Sequence, residues 1–295
     1  MREKNKSIII NIYPTKTKCK IIFFNQEKNR INIISEIDKK IFMDNRIFLD
    51  KLEKDRYIEE VSSCISNEML KLGNCKSIFI NLQEKDIIVK NIRVDPSIKR
   101  KDWIKAVNIE IKETNRVLND YFIDYKLLTS NDEYTEIQTI LFPKKYVSLF
   151  LEICDKIGIK DRSLHTNFDI LERLIKKLGV KKMYKDDIIN FGEEFQLGVV
   201  EFRDEDLVIT IFEKQKVKAS YVIKKDEFTD EMATSIFADC FGIMGVGNSE
   251  IEDIELIKRL CKISGADFEN DVEFTKNYKN VSLNEYFNIA GKRIN

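Results

Sequence analysis

Two stretches of this chain repeat one design, and few folds use it twice. Residues 7–35 read SIIINIYPTKTKCKIIFFNQEKNRINIIS, short runs rich in isoleucine and phenylalanine broken by polar turns. Residues 187–224, DIINFGEEFQLGVVEFRDEDLVITIFEKQKVKASYVIK, follow the same scheme. Apolar runs of this length bounded by turn residues predict strands. Each stretch is therefore expected to be a three-stranded β-meander, the second with Gly192 in its first turn. One meander at the start and one past the midpoint predict two lobes built on a common plan.

The 295 residues suffice for two domains, and a 43% hydrophobic share can fill a core in each. Lys+Arg and Asp+Glu number 50 each, so the basic excess of a nucleic-acid binder is missing. The densest basic run (Lys99, Arg100, Lys101, Lys105) sits beside Asp95 and Asp102 and reads as a solvated helix face. No run approaches the ~18 apolar residues of a membrane span. The apolar stretch in MREKNKSIIINIY is too short for a signal peptide, so a soluble, cytoplasmic protein is expected. Six scattered cysteines without a C-x-x-C read as buried thiols. The one histidine, His165, rules out a multi-histidine metal site within the chain and reads as structural.

Between the meanders the period changes. Ile58, Val61, Ile65, Met69 and Leu72 mark one face of a helix over 57–72, stopped by Gly73. Strands are expected at 75–82 and 86–94. Asp95-Pro96 then starts a helix with Ile98, Ile104, Val107 and Ile111 as its apolar face. Strands at 121–129 and 134–142 and a helix over 144–157 complete a β-α-β-β-α subdomain, residues 86–157, inserted into the first lobe. A short strand at 159–165 and a helix over 167–178 follow. VKKMYKDD, 180–187, reads as a connector and puts the domain boundary at about 183. The first lobe is then 1–183 and the second 184–295. In the second lobe a helix over 226–240 and a strand over 241–247 lead to a glycine turn. Capping boxes at Ser249/Glu252 and Ser282/Glu285 start two further helices.

In this order of elements the chain resembles PilM, the actin-like family of type IV pilus assembly. NLQEKDIIVKNIRVDP (81–96) resembles that family's entry into its inserted subdomain, a feature shared with FtsA. KKYVSLFLEICDKIGIKDRSLHTNFDILERLI (144–175) is similar to its helix, strand and helix, with Gly-Ile at 158–159 and the aromatic-Asp at 168–169 in the expected places. NFGEEFQLGVVEFRDEDLVITIFEKQKVKASYVI (190–223) resembles the opening of its second lobe, and VSLNEYFNIAGKRI (281–294) its last helix. The resemblance implies an α/β, two-lobed actin-like (ribonuclease H-like) fold, with the inserted subdomain in the first lobe and a reduced second lobe.

Such folds grip phosphate with one Asp-x-Gly turn per lobe, where glycine lets amides close on the anion and the aspartates organise Mg²⁺. Here the first turn reads Asn11-Ile12-Tyr13-Pro14, in which Tyr13 projects into the phosphate space and Pro14 lacks an amide donor. Asn190-Phe191-Gly192-Glu193-Glu194 is read as the second turn, with two carboxylates facing any phosphate. Gly245-Val246-Gly247 looks like the adenosine-side loop. Residues 225–241 leave room for one helix where the family carries a larger subdomain. A vestigial cleft at Asn190, Gly192, Gly245 and Gly247 and a pseudo-ATPase are expected. No catalytic residue, metal or cofactor is assigned. Asn11 could still reach Mg²⁺ through its carbonyl, so weak ATP binding stays open.

What the resemblance implies instead is a partner: the cytoplasmic N-terminal tail of a PilN-like inner-membrane protein, laid in a groove between the first lobe and the inserted subdomain. Asn91, Ile92, Arg93, Trp103 and Val107 are the candidate groove residues. The partner would hold the protein at the inner face of the membrane. An active actin-like ATPase or sugar-kinase relative, and a GspL-type secretion adaptor, are the alternatives.

Overall fold

The computed structural model describes residues 8–27, 30–41, 43, 46–73, 75–112, 118–184, 187–190, 195–246, 255–256, 259 and 272–274. Of the predicted helix after 249 only residues 255–256 and 259 are described, and they are helical; the predicted helix after 282 lies outside the described residues.

The first lobe opens with the expected meander: β1 (Ile8–Pro14), β2 (Cys19–Glu27) and β3 (Arg30–Lys39), all antiparallel. After the short α1 (Arg46–Leu49), α2 spans Lys51–Leu72. It starts earlier than its apolar spacing suggested because Asp50 caps it, accepting a bond from the Leu52 amide. Gly73, at φ 91°, ends it by donating its amide to the Met69 carbonyl. The apolar β4 (Cys75–Asn81) returns parallel to β1.

The chain then leaves for the inserted subdomain: β5 (Ile88–Val94), α3 (Trp103–Lys112), β6 (Tyr121–Ser130) and β7 (Thr135–Pro143), with sheet order β5-β7-β6. The phase of α3 differs from the sequence reading. Trp103 and Val107, four apart, are buried, whereas Ile98 and Ile104 are each 36% exposed. The indole explains the difference, donating to the Ile98 carbonyl at 3.3 Å and packing edge-on against Tyr125. Next, α4 (Lys144–Ile157) belongs to the first lobe rather than to the insertion: Leu149, Phe150 and Ile153 sit in the main core. Then β8 (Asp161–His165) pairs parallel to β4, completing a sheet of order β3-β2-β1-β4-β8. α5 (Asn167–Leu178) follows, capped by Thr166.

The expected connector is a strand. β9 (Val180–Tyr184) pairs with β10 (Asp187–Asn190) and with β15 (Val272–Phe274) in a separate small sheet. Lysines in VKKMY hid a segment whose Val180 is buried in the main core. Residues 187–190 therefore do not belong to the second meander.

That meander is β11 (Gln196–Phe202), β12 (Asp206–Glu213) and β13 (Lys216–Lys224), followed by α6 (Asp230–Phe237) and β14 (Cys240–Val246), which pairs parallel to β11. Sheet order is β13-β12-β11-β14. The plan of the first lobe is repeated, down to a register irregularity at Ile8/Ile9 in one β1-type strand and at Gln196/Leu197 in the other. Leu197, Val199, Met244 and Val246 join the first lobe's core on one face. α6 covers the other face through Ala233 and Phe237.

Candidate functional site

The repeat fixes which turns correspond. Pro14 pairs with Cys19 across residues 15–18, and Phe202 pairs with Leu207 across residues 203–206. The same bond closes each turn: Thr15 N–H to the Lys18 carbonyl at 2.7 Å, and Arg203 N–H to the Asp206 carbonyl at 3.0 Å. The counterpart of the first turn is thus Arg203-Asp204-Glu205-Asp206, not the segment after Asn190.

These turns carry opposite charge and meet. Lys16 donates to both carboxylate oxygens of Asp206, at 3.0 and 2.8 Å. Lys18 and the Thr17 hydroxyl both reach Asp204, at 3.0 and 2.8 Å. Burial pushes the Asp204 carboxyl up, but the bonds from Lys18 and Thr17 outweigh it and hold it below the ordinary aspartate value.

Behind this clasp lies a buried polar cluster. Tyr13, on β1, and Glu201, on β11, hold matching positions in the repeat. The Tyr13 hydroxyl accepts from Arg203 Nε at 3.0 Å and from Asn167 Nδ2 at 3.1 Å. The guanidinium sits over the Tyr13 ring, 5.4 Å from its centroid. Glu201 accepts from Arg203 Nε at 3.0 Å and from Asn167 at 2.7 Å. Arg203 Nη1 donates to the Gln83 carbonyl at 2.8 Å and lies 3.8 Å from Glu84 Oε1. Nearby, Asn81 bonds Asn11 at 2.8 Å.

The Arg203 and Glu201 side chains are 4% and 3% exposed, so this charge pair is shielded from water. Burial pushes the Glu201 and Glu84 carboxyls upward. Arg203 opposes this at both, and Lys16 also does so at Glu84, without cancelling it. Several polar atoms here, among them Arg203 Nη2, Glu84 Oε1, Gln83 Oε1 and Asn167 Oδ1, have no hydrogen-bond partner.

A second network joins the insertion to the second lobe. Glu172, on α5, accepts from Lys126 at 2.5 Å, from Lys176, and from the Val217 amide at 3.2 Å. The Val217 carbonyl accepts from Gln138 at 2.9 Å and Asn91 at 3.2 Å.

The residues singled out from sequence scatter. Asn190 ends β10, paired with Lys181, and Gly245 lies within β14, paired with Val200. Gly192 and Gly247 lie outside the described residues. Ile92, Trp103 and Val107 are buried in the insertion's own core, so they line no open groove. Asn91 is turned to Val217. Arg93 alone of the five has an exposed side chain, stacked over Tyr134 at 4.5 Å and 3.8 Å from Glu136. His165 contacts Ser163 Oγ at 3.1 Å. Sequence reasoning missed Arg203 and Glu201, although the polar break FRDED between two apolar strands was visible.

Two lobes on one strand plan, with an inserted sheet and facing hairpin turns, define a mixed α/β actin-like ATPase fold. Solved structures carry the same fold. The PilM–PilN type IV pilus biogenesis complex is similar at a TM-score of 0.52 and 14% identity, over 80% of this chain and 66% of that one. The cytoplasmic domain of EpsL, an inner-membrane component of the type II secretion system of Vibrio cholerae, is similar at 0.50 and 8%, over 90% and 98%. The chain thus spans just under two thirds of the first. No family model and no curated protein matches it.

Proposed function

We propose that this protein is a non-catalytic cytoplasmic scaffold of a pilus or type II secretion-like assembly, in which the nucleotide cleft of the fold has been turned into an internal joint. The observation that carries this reading is the meeting of the two turns. In a nucleotide-binding member each turn would face phosphate; here a basic turn and an acidic turn neutralise each other. The residues present do not fit Mg-ATP. Behind the joined turns the Tyr13 hydroxyl is bonded by Arg203, and Glu201 is committed to Arg203 and Asn167. A phosphate would also face the buried Glu84 and Glu201.

The partner in this reading is the N-terminal cytoplasmic tail of a PilN-like bitopic protein, which would hold the chain at the inner face of the membrane. The likeness in fold to a PilM–PilN complex supports it. Among the described residues no helix is long and apolar enough to cross a membrane. Arg93, exposed on β5 and backed by Tyr134, is the residue proposed to meet the tail. Co-purification with candidate bitopic partners tests the assignment. A tail that binds the wild-type chain and is lost with Arg93→Glu supports it; absence of any such partner, or unchanged capture by the variant, overturns it.

A further inference from the structure

A cavity of about 610 Å³ opens beside the buried cluster. One wall is the segment after β4, with Gln83, Glu84 and Ile87. The facing walls are β13, through Ser220–Ile223, and α6, through Glu231, Met232 and Ile236. Gln83 and Glu84 are 1% and 4% exposed, yet Gln83 Oε1 and Glu84 Oε1 accept no hydrogen bond. Two buried acceptors without donors are costly. Glu84's nearest cation is Arg203, at 3.8 Å. A donor-rich cationic group entering the cavity would satisfy both. The charged groups lining the cavity are Glu84, Glu231 and Lys85, and Lys85 is exposed.

The other walls suit a chain rather than a small amine. β13 is the edge strand of its sheet; Val217 at its start is engaged by Glu172, Gln138 and Asn91, and Ser220–Ile223 border the cavity. The backbone groups of such a strand that turn away from its neighbour can pair with an added strand. Tyr221 and Met232 line the same cavity at 41% and 37% exposure and offer apolar contact. We infer that this cavity docks an extended peptide along β13, with a lysine or arginine side chain of the peptide reaching Glu84 and Gln83. The Arg93 surface does not line it, so this inference and the proposed tail contact fail separately.

Calorimetric titration of the full chain tests it, with a short capped peptide alternating threonine and valine about one central lysine. The same peptide with norleucine for lysine, and n-butylammonium alone, serve as controls. The lysine peptide is expected to bind, the norleucine peptide at least about ten-fold more weakly, and butylammonium without saturation. Glu84→Gln should weaken the lysine peptide by at least about ten-fold, measured well below the variant's own thermal midpoint so that lost folding cannot account for it. Met232→Lys, which sets a rival cation at the cavity, should also weaken it, and Arg93→Glu should change nothing. No binding of the lysine peptide, equal binding of both peptides, butylammonium binding as tight as the peptide, or unchanged affinity in Glu84→Gln would each overturn the inference.

Discussion

The hydroxyl of Tyr13, from the first lobe, accepts a hydrogen bond at 3.0 Å from Nε of Arg203, from the second, 190 residues away in sequence. This contact links the two lobes. Arg203 is also the counter-ion of two buried carboxylates, Glu201 and Glu84. Removing one partner of a buried ion pair strands the other, at a cost of about 3–5 kcal/mol. Arg203→Ala is expected to lower the thermal midpoint accordingly. Tyr13→Phe removes only an acceptor and should cost about 1 kcal/mol. Thermal unfolding of both variants checks the order.

The clasp between the turns is electrostatic and partly wet. Lys16 pairs with the buried Asp206, whereas Lys18 pairs with the half-exposed Asp204. Lys16→Ala is expected to cost about 1 kcal/mol and Lys18→Ala less. Both effects should shrink in high salt. Lys16→Asp combined with Asp206→Lys should recover part of what either change loses. Urea denaturation at two salt concentrations measures this.

Acid should loosen the docking of the insertion. Burial pushes the Glu172 carboxyl up, but the bonds from Lys126 and Lys176 outweigh it, and its folded value lies below the ordinary 4.5. Such a group gives stability that is present above the unfolded value and lost as pH falls through the folded one. Glu84 and Glu201 are shifted upward and act in the opposite sense: their stabilising contribution is present below the unfolded value and fades as pH rises toward the folded one. Urea midpoints from pH 3 to 7 should therefore fall on the acid side, and Glu172→Gln should flatten that limb.

Gly198 is held small by packing. A Cβ there would lie 2.7 and 2.9 Å from two ring carbons of Phe237, on α6. Gly198→Ala is expected to cost about 1–3 kcal/mol, because the buried ring must shift. Chemical denaturation of the variant gives the value directly.

Much of this architecture is legible in the chain. The first meander, the α5 boundaries, and the apolar β4 and β12 follow from local periodicity, because each is a short segment burying one face or both. The second turn was misread because Gly192 looked like an anion cradle, while the working turn, Arg203–Asp206, contains no glycine. Trp103 was assigned to the wrong face because isoleucines at 98, 104 and 111 suggested a phase that the large indole overrides. Complementarity between a basic and an acidic turn some 190 residues apart (Lys16 and Asp206) has no local signature at all. It becomes visible only once the repeat brings the two hairpins face to face.

Whether the cleft still accepts nucleotide is measured by calorimetric titration of the purified chain with Mg-ATP. An internal joint predicts no saturable heat up to millimolar ATP and no phosphate release. Micromolar affinity, or turnover above background, would contradict it.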